Sequence, residues 1–339
     1  MNLLITFGTR PEWIKIKPVI DKIDGIIPYK ILYTGQHSTL IDSSFEKYRD
    51  MAICINPEDD CDIRLDSIVS SILKQIPSNM YDATHVMVQG DTSTALAVAL
   101  AAFHRQIPVI HLEAGLRTHD IGNPFPEESN RAMISEMASI HLCPTSLASL
   151  QLSRKKNVYV VGNTVLDSID KSKPITTEDL VLVTMHRREN LCEIKDWFEA
   201  IEKEAQRSNN LFVFPMHPNP EIQKHKGIFN KVKVIDPIGR DECLDIIRRC
   251  KYVITDSGGI QEEASFLKKK CLVCRKSTER SEGLGSSIFL CSSPLSLSFR
   301  VSAIENSQDY IVKAPCPFGN GNASDLILGL LIKEMTRNK

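Results

Sequence analysis

The sequence predicts an α/β fold in which two doubly wound domains are each built on a parallel sheet. Short apolar runs of strand length alternate with longer stretches whose apolar residues recur at helical spacing, and the alternation continues through both halves of the chain. The 339 residues are enough for two such domains, and the polar stretch 167–179 separates the two series. We therefore predict an N-terminal domain at 1–168, a C-terminal domain at 169–322 and a closing C-terminal helix at 323–339.

The charge balance points to a small substrate. The formal net charge of −1 gives no basic field for nucleic acid and no polybasic patch for a membrane surface. The apolar run at 3–7 is too short for a secretory signal or a membrane span. We expect a cytoplasmic protein with a small-molecule substrate.

The ten cysteines are scattered through apolar segments and lack the paired spacing of a zinc site. Cys271 and Cys274 form a lone C-x-x-C motif, but KKCLVCRK has strand character, and strand residues three apart point to opposite faces. We interpret them as core residues in a reducing compartment, with a metal or redox role as the alternative. No metal site is predicted.

Residues 3–7, LLITF, predict the first strand, and the GTRPE that follows predicts a tight turn into a helix with Pro11 in its first turn. Arg10 and Lys15 then lie near the helix N-terminus, at the carboxyl end of the strand. Backbone N–H groups and the helix dipole favour anions there, so we interpret the pair as an anion clamp; the alternative is a solvated basic edge. GTRPE is not a G-x-G-x-x-G fingerprint, and none appears later, so no dinucleotide is indicated.

The next segments continue the alternation. Strands are predicted at YKILYTG and MAICIN, and helices at TLIDSSFEKYRD and RLDSIVSSILKQI.

The middle of the first domain predicts a strand, a helix and a second strand. Apolar runs at 85–89 and 108–112 flank the helical pattern ALAVALAAF, and a polar segment beginning with a carboxylate follows each run. Parallel strands present their carboxyl ends to one crevice, so we expect Asp91 and Glu113 to lie side by side, with Glu127 opening the next helix. A single acid past a strand end is often only a helix cap, but three converging acids indicate an acid/base site.

The second half repeats the architecture without a detectable sequence repeat. The first domain ends with the segments IHLCPT and NVYVVGN, a short helix at SLASLQLS and a helix beginning near Thr164. In the second domain, strands are predicted at LVLVTM, LFVFPM, KVKVID, KYVITD and KCLVC, with helices between them such as CEIKDWFEAIEKEA. Residues 285–322 match no clear pattern. A helix with Ser324 as its N-cap is predicted to close the chain.

Two turns of the second domain carry polar residues at strand ends. TMHRREN places His186 beside Arg187, where it could hold a leaving phosphate or donate a proton to it. The turn in ITDSGGIQEEA offers a hydroxyl and close backbone N–H groups at a helix N-terminus, from Ser257, Gly258 and Gly259. This suits a diphosphate, and Glu263 could accept hydrogen bonds from ribose hydroxyls. The alternative is a plain helix cap with an exposed glutamate.

Nine ordered motifs resemble the non-hydrolysing UDP-N-acetylglucosamine 2-epimerase family. They are GTRPEWIKIKPV, TGQH, VQGDT, HLEAGLRT, PFPEESNR, GNTVLD, HRREN, TDSGGIQEEA and TERSE. The resemblance implies the GT-B fold, in which two Rossmann-like doubly wound domains face each other across a cleft. It also implies a UDP-sugar substrate, a homodimer, and no metal or cofactor.

The resemblance also assigns residues. It implies that the catalytic residues are Asp91, Glu113, Glu127 and His186. It implies that the substrate-binding residues are Arg10, Lys15, Cys243, Ser257, Gly258, Gly259, Glu263 and Arg280.

The chain departs from the family pattern at three places. Cys243 stands where relatives usually have an aromatic residue beside the uracil. Residues 56–67, NPEDDCDIRLDS, replace a segment that helps relatives bind a second, regulatory UDP-sugar, so we expect that site to be altered or absent although Gln36 and His37 remain. TERSE replaces the usual TERPE.

The reaction implied by the resemblance inverts C2 of UDP-N-acetylglucosamine to give UDP-N-acetylmannosamine, through elimination of UDP to a glycal and re-addition. Elimination avoids a C2 carbanion that no adjacent carbonyl would stabilise, and it needs two differently placed proton carriers. Alternatives are a hydrolysing 2-epimerase, a 2-epimerase of another UDP-acetamido sugar, a GT-B glycosyltransferase and a catalytically silent sugar-nucleotide sensor.

Overall fold

The computed structural model describes residues 2–36, 45–48, 52–54, 63–76, 80 and 82–337. Its contacts divide the chain into two compact units, residues 1–168 with 319–339 (unit 1) and residues 169–318 (unit 2). The C-terminal helix thus belongs to unit 1. Most of the polar stretch 167–179 belongs to unit 2.

Unit 1 alternates strands and helices. In chain order its first elements are β1 (Leu3–Phe7), α1 (Arg10–Ile23), β2 (Tyr29–Tyr33), β3 (Ala52–Cys54), α2 (Arg64–Gln75), β4 (His85–Gln89), α3 (Ser93–His104), β5 (Val109–Leu112), α4 (Glu127–Met137), β6 (Ile140–Cys143), α5 (Ser146–Leu150), β7 (Val158–Val160) and a 3-10 helix at Thr164–Ser168. The strands pair in parallel in the order β3-β2-β1-β4-β5-β6-β7.

Unit 2 has the same kind of alternation. Its elements are β8 (Leu180–Thr184), α6 (Ile194–Arg207), β9 (Leu211–Pro215), α7 (Pro220–Gln223), β10 (Lys233–Ile235), α8 (Arg240–Arg249), β11 (Tyr252–Thr255), α9 (Gly258–Phe266), β12 (Lys270–Cys274), β13 (Ile288–Cys291) and α10 (Pro294–Ser307). The strands pair in parallel in the order β10-β9-β8-β11-β12-β13. The chain then returns to unit 1 as α11 (Ala323–Arg337).

Both sheets confirm the predicted doubly wound α/β class. Each grows outward from one central strand, β1 or β8, and then resumes on the other side of that strand at β4 or β11. These are the two Rossmann-like units that a GT-B fold comprises. In such sheets, ligands bind outside the carboxyl ends of the strands where the order reverses. We therefore expect ligand-binding residues in the turns after β1 and β4, and in the turns after β8 and β11.

The apolar strands are buried because helices cover their sheets. In unit 1, Phe7 of β1 packs on Trp13 of α1 with ring centroids 5.0 Å apart, and both side chains are fully buried. Ile327 and Leu331 of α11 join the same core. Packing against α1 explains why the last helix belongs to unit 1 although it follows unit 2 in sequence.

The predicted N-cap of the last helix was wrong. The helix begins at Ala323, so Ser324 lies inside the first turn. The carboxylate of Asp167 takes the capping role from a distant part of the chain, because its oxygens accept hydrogen bonds from the N–H groups of Ala323 (3.0 Å) and Ser324 (2.6 Å). This contact ties the start of the helix to the 3-10 turn that ends the first part of unit 1.

For one segment the structure shows elements that the sequence did not predict, and for another it does not describe the predicted helix. Residues 285–322, left without a pattern, contain β13 and α10, and the helix predicted over 39–50 lies outside the described residues apart from 45–48. The changed segment at 56–67 also lies mostly outside them. In the part of the chain that is described, no helix is long and apolar enough to cross a membrane.

The cysteine prediction is confirmed for the C-x-x-C pair. Cys271 and Cys274 are fully buried free thiols in β12, and burial raises the pKa of each well above its usual value. Such buried, protonated thiols behave as small apolar side chains. Over the described ranges, no group of three or more His, Cys, Asp or Glu side chains is arranged to hold a metal ion.

Candidate active site

The turn after β1 places two basic residues at the carboxyl edge of the first sheet. Thr9 is the N-cap of α1, Arg10 is its first helical residue, and a proline follows in the first turn. The guanidinium Nε of Arg10 is buried and donates no hydrogen bond to any of the described residues. Lys15, one turn further along the helix, forms an ion pair with the carboxylate of Glu113. The two residues predicted to bind an anion together therefore differ, because among the described residues Lys15 already forms an ion pair with an acid of the protein and Arg10 does not.

Glu113 is held in a special backbone conformation directly after β5. Its φ is +63°, in the left-handed region that a non-glycine residue rarely adopts, and its side chain is only 7% exposed. Besides the ion pair with Lys15, its carboxylate accepts a hydrogen bond from the side-chain amide of Gln89, the last residue of β4. Both partners stabilise an ionised carboxylate. Strained backbone of this kind is typical of functional sites.

Asp91 is held by a different cation. Its carboxylate lies 2.9 Å from the Nε of Arg131. The Arg131 side chain is 2% exposed, and its Nη1 lies 3.3 Å from the Glu128 carboxylate. The side-chain amide of Asn130 donates to the Asp91 carbonyl at 2.8 Å, so α4 fixes both the backbone and the side chain of this residue. With an exposed fraction of 30%, the Asp91 side chain remains accessible.

Glu127 is the first residue of α4, as predicted, and its side chain is half-buried. The following Glu128 faces the protein, because its oxygens accept hydrogen bonds from the backbone N–H groups of Thr118 (3.1 Å) and His119 (3.2 Å). The adjacent glutamates of PFPEE thus differ in position. Glu128 shapes the loop between β5 and α4, and Glu127 stands at the edge of the sheet where the other two acids emerge.

The turn after β8 is organised by a buried acid of the neighbouring strand. Asp256, directly after β11, is 0% exposed and accepts hydrogen bonds from the backbone N–H groups of His186 (3.0 Å) and Arg187 (2.8 Å) and from the side chain of Asn190 (3.0 Å). The His186 ring stacks on His217 with centroids 5.5 Å apart. Burial lowers the pKa of His186, with nearby Asp256 opposing that effect. A neutral imidazole that donates an N–H is therefore favoured near neutral pH.

The glycine turn after β11 opens α9, with Ser257 at the N-cap and Gly258 as the first helical residue. The Ser257 side chain makes no capping hydrogen bond, so its hydroxyl is not used to close the helix. A Cβ at Gly258 would lie 2.5 Å from a guanidinium nitrogen of Arg280, whereas one at Gly259 would meet no heavy atom within 4 Å. The first glycine is therefore required by packing, and the second leaves open space at a helix N-terminus.

Arg280 lies behind this turn and is 5% exposed. Its guanidinium forms ion pairs with Glu262 at 2.7 Å and with Glu279. Burial raises the pKa of Glu279, but Arg280 and Arg275 outweigh it and hold that pKa well below its usual range. The structure therefore places Arg280 as a support for the N-terminus of α9. Its resemblance-based role in nucleotide binding remains a prediction.

The remaining two candidates of unit 2 lie together. The Glu263 carboxylate is 2.8 Å from the Nε of Arg240 in α8, and both are largely buried. Cys243, one turn along α8, has its pKa raised to about 12 by burial and by the negative charge of Glu263. Arg240 thus fixes the orientation of the acid that the sequence assigned to ribose hydroxyls.

Several organising residues were missed from the sequence. Asp256 carries the same signal as Glu113, an acid directly after a strand, and could have been found by it. Gln89 and Arg240 could not, because their roles depend on partners 24 and 23 positions away. Tertiary packing alone brings such pairs together.

Comparison with known proteins supports the motifs. The family model described as UDP-N-acetylglucosamine 2-epimerase matches residues 22–332. Curated relatives of that name include one from Neisseria meningitidis, 35% identical with 98% of this chain and 100% of the relative covered, and one from Salmonella borreze, 33% identical with 98% of each covered. A crystal structure of the Neisseria meningitidis enzyme bound to UDP-GlcNAc superposes with a TM-score of 0.88 at 31% identity, covering 98% of this chain and 100% of that one. This chain therefore belongs to the UDP-N-acetylglucosamine 2-epimerase family.

Proposed function

We propose that this protein converts UDP-N-acetylglucosamine to UDP-N-acetylmannosamine without net hydrolysis, by eliminating UDP and adding it back. The observation that carries the proposal is the pair of carboxylates at one edge of the first sheet, Glu113 held by Lys15 and Asp91 held by Arg131. Two acids fixed by separate cations are suited to act on opposite faces of one carbon. Family membership supports the same substrate.

The chemistry balances without an oxidant or reductant. A carboxylate removes the C2 proton, the electron pair of that bond forms the C1–C2 double bond, and the C1–O bond breaks to release UDP. UDP then adds back to C1 while a proton is delivered to C2 from the opposite face. Because the overall reaction is redox-neutral, the scheme includes no cofactor.

We assign the proton transfers to three acids: Asp91, Glu113 and Glu127. Ionised carboxylates serve as acceptors, and the partners of Glu113 and Asp91 favour their ionised forms. Glu127 stands at the start of α4, where the helix dipole also favours a carboxylate.

We assign the departing diphosphate to the turns of unit 2. His186 offers a ring N–H, while Ser257 and Gly259 offer a hydroxyl and open backbone N–H groups at the start of α9. Negative charge grows on the β-phosphate as the C1–O bond breaks, so these donors stabilise the transition state more than the bound substrate. Arg10, with its buried Nε, is the corresponding candidate in unit 1.

The test is proton NMR of UDP-N-acetylglucosamine incubated with the purified protein in deuterated water. We expect UDP-N-acetylmannosamine carrying deuterium at C2 with the UDP linkage intact. Free N-acetylmannosamine with UDP would instead place the chain among hydrolysing enzymes. If the substrate is unchanged, the proposal fails, and other UDP-acetamido sugars are then tested in the same way; the cysteine at 243 favours that second candidate.

We further propose a cytoplasmic homodimer. The homodimer rests on the resemblance of the motifs to the family. A reducing compartment is supported by the eight cysteines whose side chains the structure describes, which are all free thiols. Light scattering coupled to size-exclusion chromatography would test the dimer, and a monomer at micromolar concentration would refute it.

A further inference from the structure

Glu12 is a buried carboxylate that the proposed mechanism does not use. It lies in the first turn of α1 and is 2% exposed. One of its oxygens accepts hydrogen bonds from the backbone N–H groups of Gly8 (3.0 Å) and Thr9 (2.8 Å) and from the Thr9 hydroxyl (2.8 Å). These bonds form a capping box that closes the start of the helix.

The other oxygen of Glu12 contacts a different part of the sheet. It accepts a hydrogen bond from the hydroxyl of Thr92 at 2.7 Å. Thr92 follows Asp91 and is the N-cap of α3, where its hydroxyl accepts the Ala95 N–H at 3.0 Å. A capping box needs no such partner 80 positions away, so this bond goes beyond the closing of α1.

The two turns that Glu12 joins are those on either side of the point where the sheet order reverses. One follows β1 and carries Arg10; the other follows β4 and carries Asp91. Strands β1 and β4 are hydrogen-bonded through Leu3 to Ile5 only, so their pairing does not extend to these turns. The hydroxyl of Thr6 also donates to the Met87 carbonyl at 3.1 Å, and beyond that point the Glu12 carboxylate connects the two turns.

We propose that the Glu12 clasp, formed by the Glu12 carboxylate with Thr9 and Thr92, positions Asp91 relative to Arg10 for proton transfer. The inference rests on the proposed epimerisation. Glu12 is 2% exposed and both of its oxygens accept hydrogen bonds from protein donors, so we infer that it is a positioning residue. An ionised carboxylate accepts at both oxygens, whereas an amide would present an N–H group to one set of these donors, so the variants are compared at pH 8, where Glu12 is ionised.

The decisive variants are Thr92→Val and Glu12→Gln, measured by kcat and KM for UDP-N-acetylglucosamine epimerisation. Thr92→Val removes the bond to the Asp91 turn and keeps the bonds to Gly8 and Thr9. We expect kcat to fall roughly tenfold to a hundredfold with little change in KM, since a displacement of about 1 Å is sufficient for such a loss. Glu12→Gln disturbs both turns, so both kcat and KM should change.

The matched control is Thr145→Val. The Thr145 hydroxyl caps α5 in the same unit by accepting the Ala148 N–H at 3.1 Å, a bond of the kind that Thr92 makes with Ala95. Both variants lose a helix cap, so their melting temperatures should fall by similar amounts. Only Thr92→Val should lose turnover, and combining it with Glu12→Gln should lower kcat no further than Glu12→Gln alone.

The clasp is refuted if Thr92→Val retains wild-type kcat well below its melting temperature, or if the effects of the two variants on kcat simply add. A readout independent of activity is amide hydrogen exchange in the peptide covering 91–96. Glu12→Gln should accelerate exchange there severalfold, although the substitution lies in another element; unchanged exchange refutes the clasp. An inactive wild type would refute the proposed reaction, and the exchange experiment would still decide the clasp.

Discussion

Glu12 gives a quantitative prediction about stability and pH. Burial raises its pKa from 4.5 to about 7, although hydrogen bonds from Thr92, Thr9 and Gly8 oppose the increase. A carboxyl group with a raised pKa in the folded state binds its proton more tightly there than in the unfolded chain. Its contribution to stability is therefore fully present below about pH 4.5 and is lost as the pH rises through 7.

The size of the effect follows from the same values. At 1.36 kcal/mol per pH unit, the difference between 4.5 and about 7 corresponds to about 3 kcal/mol. For a unit of this size, a loss of 1 kcal/mol lowers the melting temperature by about 2–4 °C. Between pH 5 and pH 8, the wild type should therefore lose roughly 5–10 °C that Glu12→Gln, which cannot titrate, does not lose.

The assay is thermal unfolding of both proteins at several pH values in one buffer system. Glu12→Gln is expected to melt lower throughout, and its gap from the wild type should narrow as the pH rises. Glu202→Gln is a matched control of opposite sign: burial raises the pKa of Glu202, but backbone N–H groups including those of Val232 and Lys231 outweigh it and lower that pKa. The difference in melting temperature between the wild type and Glu202→Gln should widen as the pH rises. A constant gap for Glu12→Gln would refute the reasoning.

Three further predictions concern the glycine turn after β11, the buried cation Arg131 and the proposed catalytic acids. Gly258→Ala should lower the melting temperature and weaken UDP binding because a Cβ would lie 2.5 Å from a guanidinium nitrogen, whereas Gly259→Ala should melt like the wild type; equal melting would contradict the packing argument. Arg131→Gln leaves two carboxylates without their buried cation and should destabilise the protein by about 3–5 kcal/mol in chemical unfolding, a value near zero being the contrary result. Asp91→Asn and Glu127→Gln should each lower kcat by roughly a hundredfold or more in the NMR assay, and wild-type turnover in both would rule out the acid/base assignment.

Local patterns were sufficient for most elements of the fold. The strand after which GTRPE begins, the helix at ALAVALAAF and the helix opened by Glu127 all follow from apolar periodicity and from the residues at their ends. The pattern failed in 285–322, where β13 and α10 have few local signals. Leu295 and Phe299 of α10 are 81% and 70% exposed, so the apolar residues of this helix do not form a single buried stripe.

The candidate site likewise has residues that the sequence predicts and partners that it does not predict. Acids after strand ends could be predicted because parallel strands end at a common edge, and Asp91 and Glu113 were found by that rule. Glu127 was predicted as the residue that opens the next helix. Their partners could not be predicted. Lys15 was assigned to an anion by its place on the helix, and only the tertiary structure brings it to Glu113.

The sequence by itself determined the fold class, the family and most of the elements, and it predicts the three acids as catalytic candidates, because each of these depends on local periodicity or on residues at fixed spacing. The tertiary structure decided how those residues are held: the left-handed backbone of Glu113, the cation assigned to each acid, the capping of α11 by Asp167 and the Glu12 clasp. The physical reason is that an ion pair or hydrogen bond depends on distances of about 3 Å between atoms far apart in the chain, and spacing along a sequence does not specify such distances.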